Sequence, residues 1–280
     1  MRDDDRNAHR LKIALFGHPL GHSRSQELFA AVSGRSCPEI DYQPVEVSPA
    51  GLEAAIERMR RGEWDGANVT IPHKGEVLRY VDSLDLSART SGAVNVIVRS
   101  GEGVLHGINT DGEGFCDALK VFSQGPPDLE QAGVVIFGTG GAARGVGAAV
   151  RQRGAEVTFV TRRPGQSPSE VMSLAREIIG WDSRRLSSCI EEALLVVQAT
   201  SLGMAPSTEE AVPAPRESFR KGQYVVDLIY NPPETRFMQQ VRRQGADVIN
   251  GWPMLVHQAA RALDHWAGSG AGKALIEHWL

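Results

Sequence analysis

At 280 residues the chain is long for one hydrophobic core and comfortable for two domains. Its apolar and charged fractions are those of an ordinary soluble protein, and a formal net charge of −4 leaves no basic footprint for nucleic acid. The three cysteines, Cys37, Cys116 and Cys189, are odd in number and far apart, which implies neither a disulfide framework nor a metal-ligand set.

Residues 1–10 read as a disordered or frayed tail, and Met1-Arg2-Asp3-Asp4-Asp5-Arg6, charged and without an apolar stretch, does not read as a signal peptide. No later run is long and apolar enough to span a membrane, and the cysteine usage, with no disulfide framework, leads to the expectation of a cytoplasmic location. Lys12 to Gly17 is a short apolar strand ending at a glycine, and Gln26 to Val32 has helical periodicity. Tyr42 to Val47 reads as a second strand. Ser48-Pro49 then opens a helix with Leu52, Ala55, Ile56 and Met59 on one face. Gly66 to Thr70 reads as a third strand, ended by Pro72. Segments 93–98 and 104–107 form a strand pair around the turn Ser100-Gly101-Glu102-Gly103. A helix from about Asp111 to Phe122 leads to the linker-like Gln124-Gly125-Pro126-Pro127. Beyond it strand 134–137, a helix to about Gly154, strand 156–161, a helix near 168–179, and strands 196–199 and 224–229 predict parallel strands with crossover helices. After Asn250 the chain becomes helical, ending in a helix over about 271–279.

Three segments carry chemistry. Val134-Val135-Ile136-Phe137 runs into Gly138-Thr139-Gly140-Gly141-Ala142-Ala143, a strand feeding the glycine-rich turn of a dinucleotide site. Gly138 permits the tight turn, Gly140 and Gly141 let backbone N–H groups approach a pyrophosphate, and the helix starting near Ala142 turns its N-terminal dipole to the phosphates. The next strand ends in Thr161-Arg162-Arg163, where an NAD site would offer a carboxylate to the ribose; two guanidiniums there favour NADP, whose 2′-phosphate they can grip. Two solvated surface charges are the alternative. The other segments are Gly66-Ala67-Asn68-Val69-Thr70-Ile71-Pro72-His73-Lys74 and Gly107-Ile108-Asn109-Thr110-Asp111-Gly112. A lysine that can give or take a proton, a carboxylate to orient it and a nucleotide site together point to a redox enzyme acting on a hydroxyl or carbonyl.

From Lys12 onward the chain resembles the shikimate dehydrogenase family. The resemblance rests on Gly17-His18-Pro19-Leu20-Gly21-His22-Ser23-Arg24-Ser25, Asn68-Val69-Thr70-Ile71-Pro72-His73-Lys74, Gly92-Ala93-Val94-Asn95, Asn109-Thr110-Asp111-Gly112, the Gly138 turn, Thr161-Arg162-Arg163, Ala199-Thr200-Ser201-Leu202-Gly203-Met204, and Gly251-Trp252-Pro253-Met254-Leu255-Val256-His257-Gln258-Ala259. What the resemblance implies is reversible, NADP-linked reduction of 3-dehydroshikimate to shikimate in aromatic amino-acid biosynthesis. Lys74 and Asp111 match its catalytic dyad. Ser23 and Ser25 match serines that hold the substrate carboxylate, with helix capping as their other reading, and Tyr230 matches a tyrosine nearby. Asn68, Thr70, Asn95 and Gln258 match the groups that read ring hydroxyls. Thr200, Ser201, Met204 and Met254 match residues beside the nicotinamide, which Ile229 and Gly251 would approach by backbone; for the methionines core packing is the other reading.

The chain departs from the family after Ser25, where Gln26 replaces a proline and Leu28, Phe29 and Ala30 stand in place of a His-Asn pair. That puts the helix start behind the serine loop in doubt. Thr161 replaces the asparagine of the cofactor motif, and Gln198 the asparagine before Ala199. The rival readings are a quinate/shikimate dehydrogenase of broader range, which Ser25 disfavours, and a non-catalytic NADP-binding regulatory module. The expected architecture is α/β: an N-terminal substrate domain (10–110 with 250–280) and a Rossmann-type NADP-binding domain (111–249), flanking a cleft that closes on a small-molecule substrate. Neither nucleic acid nor membrane is an expected partner, and the protein is expected to be a monomer or homodimer.

Overall fold

The computed structural model describes residues 10–21, 23–35, 37–122 and 125–280. Residues 1–9 of the tail predicted over 1–10, His22 of the serine loop and Gln124 of the linker lie outside them. In chain order the first elements are β1 (Leu11–Gly17), α1 (Ser25–Val32), β2 (Ile40–Glu46), α2 (Leu52–Arg60), β3 (Gly66–Val69) and β4 (Ser83–Leu84). Then come α3 (Leu86–Ser91), β5 (Val96–Arg99), β6 (Leu105–Ile108), α4 (Asp111–Ala118), β7 (Gly133–Phe137), α5 (Gly141–Gln152), β8 (Glu156–Thr161) and α6 (Ser169–Leu174). The chain ends with β9 (Glu177–Gly180), α7 (Leu186–Glu192), β10 (Leu195–Gln198), β11 (Tyr224–Asp227), α8 (Arg236–Arg242), β12 (Asp247–Ile249), α9 (Trp252–Ala267) and α10 (Lys273–Trp279).

These elements divide into two units. The first holds the described residues up to Asp85 together with Val94–Ile108 and Ala259–Leu280; the second holds Leu86–Ala93 and Asn109–Gln258. The sequence-based division at 110/111 and 249/250 differs in assigning segment 86–93 and the first turns of α9 to the substrate side. α3 joins the second unit because Ser87 and Ser91 bond to Asn109 there.

The first unit is built on a mixed sheet of order β2-β1-β3-β5-β6-β4. β1 runs parallel to β2 and β3, and β5 and β6 form the predicted antiparallel pair. The C-terminal ends of β1 and β3 and the N-terminal end of β5 therefore meet at one edge of the sheet. Amphipathic α2 buries Leu52, Ala55, Ile56 and Met59, the face expected from its spacing.

The second unit has an all-parallel sheet of order β12-β11-β10-β7-β8-β9. This is the doubly wound order, with the reversal of direction between β7 and β10. β7, β10 and β11 are apolar and buried through most of their length, as strands covered on both faces must be. The segment expected to be helical over 168–179 is instead α6 followed by strand β9. The helix stops at Leu174, and Glu177-Ile178-Ile179-Gly180 pairs with Thr158-Phe159-Val160-Thr161, which satisfies a sheet edge that a longer helix would leave open. The helix predicted over 111–122 likewise ends at Ala118 and tightens into a 3-10 turn over Leu119–Val121. Among the described residues no helix is long and apolar enough to cross a membrane.

Candidate active site

In the first unit Ser23, Ser25, Asn68, Thr70, Lys74 and Asn95 all fall at the sheet edge formed by the ends of β1 and β3 and the start of β5. Gly17 lets the loop after β1 approach the loop after β3: a Cβ there would collide with Thr70 Cγ2 and stand 3.2 Å from the Ile71 carbonyl. Backbone bonds from His18 to Ile71 (2.9 Å) and from Thr70 to Phe16 (2.9 Å) hold the two loops together. Lys74 sits on a turn fixed from three sides. His73 N–H closes it on the Thr70 carbonyl at 2.8 Å, and the buried His73 ring donates from Nε2 to the Val47 carbonyl at 2.6 Å. The Lys74 carbonyl accepts from Val94 N–H at 2.7 Å, which ties the turn to the segment leading to Asn95.

The two serines differ. Ser23 is half-buried and its Oγ accepts from Ser25 N–H at 3.3 Å; Ser25 is the first residue of α1 and is buried. The residue in the N-cap position is Arg24, and no side chain caps the helix.

In the second unit Asp111 begins α4 and is 3% exposed. Asn109 holds it: Oδ1 accepts from Asp111 N–H at 3.0 Å, while Nδ2 donates to the Ala93 carbonyl (2.8 Å) and to Ser91 Oγ (3.2 Å). α4 lies close against two helices because it carries glycines on those faces. A Cβ at Gly112 would collide with the Gly145 carbonyl of α5, and one at Gly114 would stand 2.6 Å from the Gln258 nitrogen of α9. Thr110 Oγ1 also donates to the Gln258 carbonyl at 3.1 Å. The unit thus brings Asp111 and Gln258 onto adjoining helices, with Gln258 Nε2 bonded to the Leu255 carbonyl at 2.9 Å.

The glycine turn lies at the point where strand direction reverses. Gly138 has a φ of 105°. A Cβ there would meet the Ala199 carbonyl at 3.1 Å, so the loops after β7 and β10 are in contact. Gly140 is the N-cap of α5, and a Cβ built on it would meet nothing within 4 Å. The space in front of this helix end is open, and its first turn carries no acidic residue, which leaves the N-terminal dipole uncompensated for an anion. β8 ends at Thr161; Arg162 and Arg163 follow, both exposed, with the Arg162 guanidinium 5.5 Å from the centre of the Trp181 ring. Ser201 is exposed and Met204 half-buried, whereas Met254 is buried in the apolar core with Val226. The Ile229 carbonyl accepts from Gly251 N–H at 3.0 Å, and a Cβ at Gly251 would collide with the Leu228 carbonyl, so only glycine fits. Tyr230 stands edge-on to Trp252, ring centres 6.4 Å apart.

The family model for the shikimate dehydrogenase substrate binding domain matches residues 15–97. The shikimate dehydrogenase (NADP(+)) of Salinibacter ruber is 39% identical over 276 residues, which covers 94% of this chain and 94% of that protein. The corresponding protein of Moorella thermoacetica is 37% identical over 278 residues, covering 96% and 92%. The chain belongs to the shikimate dehydrogenase family. Shikimate 5-dehydrogenase from Thermus thermophilus, solved in complex with NADP(H) and shikimate, matches with a TM-score of 0.80 at 32% identity over 95% of this chain and 99% of that one.

Gln26, Phe29 and Gln198, three of the positions where this shikimate dehydrogenase family member departs from the motifs, are accommodated locally. Gln26 does not displace the start of α1, which is reinforced by Arg24 gripping the Glu27 carboxylate at 2.8 and 2.6 Å. Phe29 is fully buried and stacks on Tyr42. Gln198 reaches across the ends of two strands. Its Oε1 accepts from Thr200 N–H at 2.5 Å, and its Nε2 donates to the Leu202 carbonyl (3.1 Å) and to Asp227 Oδ1 (3.3 Å). Asp227 in turn accepts from Thr235 Oγ1 at 2.6 Å and from Ile229 N–H at 3.1 Å. Burial pushes the Asp227 carboxyl up to about 6, against the lowering effect of those two donors.

Tyr42, Asn109, Asp227, Thr235 and Arg144 hold neighbouring side chains and backbone in place and are not among the candidate site residues of the sequence. Asn109 had a local signal, an asparagine two residues before a helix-starting aspartate, the spacing of an Asx turn. Arg144, in the first turns of α5, donates from Nη2 to the Gly92 carbonyl at 2.8 Å. Burial lowers its pKa from the usual arginine range, with Glu170 acting in the opposite sense.

Proposed function

We propose that this chain catalyses the reversible, NADP-dependent reduction of 3-dehydroshikimate to shikimate, in the route to chorismate and the aromatic amino acids. The full-length relationship to shikimate dehydrogenases carries this reading, and the residues present fit the cofactor. Gly140 leaves open space before an uncapped helix end, and β8 leads into Thr161, Arg162 and Arg163 with no carboxylate to repel a 2′-phosphate. Gly138, Gly140, Gly141 and Ala142 would take the pyrophosphate, and the loops bearing Thr200, Ser201, Met204, Ile229 and Gly251 the nicotinamide half, with Met254 in the first turn of α9 packed behind them. The bound cofactor supplies or accepts a hydride.

Lys74 gives its proton to the carbonyl oxygen as negative charge grows there, and takes it back in the reverse direction. Asp111 orients the ammonium and accepts from a substrate hydroxyl. Its own placement is secured by the Asn109 bond at the start of α4. Ser23 and Ser25 hold the carboxylate, with Tyr230 beside it. Asn68, Thr70, Asn95 and Gln258 read the ring hydroxyls, a task suited to buried amides because an analogue lacking the hydroxyl leaves them unpaired.

Initial rates of NADP⁺ reduction with shikimate, alongside quinate and NAD⁺, test the reading on the wild type and Lys74→Ala. Turnover on shikimate with NADP⁺, reduced roughly 10²- to 10⁴-fold in the variant, is expected. No turnover on either acid would overturn it.

A further inference from the structure

Asn68 lies within β3 and is 6% exposed. Both halves of its amide are engaged. Nδ2 donates to the Asn95 backbone carbonyl at 3.1 Å, and Oδ1 accepts from the Tyr42 hydroxyl at 2.8 Å. The first of these bonds fixes the amide's orientation, because a carbonyl can only accept; turned end for end, Oδ1 would face it oxygen to oxygen. The second follows from the first. With Oδ1 toward Tyr42, the phenol must be the donor.

The phenol is itself held. Its ring is nearly buried and stacks on Phe29 with centres 4.7 Å apart and planes 22° from parallel. Phe29 packs in turn on Trp266 at 5.8 Å, and Trp266 Nε1 is anchored to the Ile97 carbonyl at 3.0 Å. Phe29 is one of the residues at which the sequence departs from the family motif. A hydrogen bond accepted at an amide oxygen draws electron density toward it and strengthens donation from the nitrogen. After its bond to Asn95, Nδ2 has one N–H left to give.

We propose that Tyr42 is a positioning residue for substrate selectivity: its hydroxyl, clamped by the Phe29 stack, locks and polarises Asn68 so that the remaining N–H is presented to an acceptor oxygen on the substrate ring. This rests on the reading above, in which Asn68 reads a ring hydroxyl. It adds that the amide reads it as a donor, and that its selectivity is set from a residue outside the motif.

The test is Tyr42→Phe, which keeps the stacking ring and removes only the hydroxyl. Initial rates are measured with shikimate and with analogues in which each ring hydroxyl in turn is replaced by hydrogen. The expected result is a fall in kcat/KM for shikimate of about three- to ten-fold, carried by KM, with KM for NADP⁺ unchanged. Preference for shikimate over one of the deoxy analogues falls by the same factor. In an Asn68→Ala background Tyr42→Phe brings no further loss of that preference. Phe29→Leu, which keeps the hydroxyl and loosens its support, shifts the preference in the same direction, and serves as the second variant should Tyr42→Phe fold poorly. An equal loss on every substrate, an unchanged preference in both variants, or additive effects in the Asn68→Ala background would overturn the inference while leaving the dehydrogenase reading intact. A wild type without turnover on shikimate overturns both.

Discussion

An arginine lying over an indole ring keeps its charge and its in-plane N–H donors while losing freedom of movement, and that is the situation of Arg162 above Trp181. Such a guanidinium is prepared for a phosphate at small entropic cost. Arg162→Ala is expected to raise KM for NADP⁺ by about ten-fold or more, the worth of a charge-assisted hydrogen bond, and to leave KM for NAD⁺ nearly unchanged. Parallel rate measurements with the two cofactors decide it; equal losses on both would make the residue a structural one. At this scale a short motif is enough to single out candidates, as with Lys74 and Asp111, whose proposed roles the Lys74→Ala rates test. The sequence was opaque wherever a residue works through a partner far along the chain. Tyr42 is 26 residues from Asn68, and Asn109 is 18 residues from Ser91. No periodicity links such pairs; only the fold does.

The loops after β10 and β11 are joined beneath their surface by the Gln198–Asp227–Thr235 network. The wholly buried Asp227 carboxylate accepts from both loops, and burial raises its pKa to about 6. Between its ordinary value and about 6 the native state holds a proton that the unfolded chain has released. Its contribution to stability is therefore full at low pH and is lost as pH rises through about 6. The span of roughly two pKa units corresponds to about 3 kcal/mol. Unfolding midpoints measured between pH 4 and pH 7 for wild type and Asp227→Asn check this. The wild type is expected to lose stability relative to the variant as pH rises, and parallel curves would refute the shift. Elements with a strong period, such as α2 and α5, were predicted from sequence at nearly their true positions. β9 was missed because Glu177-Ile178-Ile179-Gly180 becomes a strand by pairing with β8, and its apolar residues continue the helical spacing of α6.

Over the whole molecule, the first unit is assembled from separated stretches of chain. Its sheet needs Val94–Ile108 beside the strands that precede Asp85, and its helical cover comes from residues after Ala259. α9 runs unbroken across the division at Gln258 and Ala259. A unit made this way cannot form from one contiguous segment, which argues for cooperative unfolding. Calorimetry of the ligand-free protein is expected to show one transition; two separated transitions would mean that the units melt independently. The sequence pattern predicts a second α/β unit between the halves of the first, since strand–helix alternation restarts after the Gln124-Gly125-Pro126-Pro127 break. It carries no signal for segment 86–93, because the bonds that join Ser87 and Ser91 to Asn109 are tertiary.

The bond from Thr110 to the Gln258 carbonyl has a practical consequence. It fastens together, at 3.1 Å, the two places where the long nucleotide-binding stretch of chain begins and ends. A module whose ends touch can be spliced into a host loop without stretching it, and can be lifted out and replaced by another of the same gauge. Chimaeras between members of this family cut at 109 and 258 would therefore close without strain, provided segment 86–93 comes from the same parent as the insert it packs with.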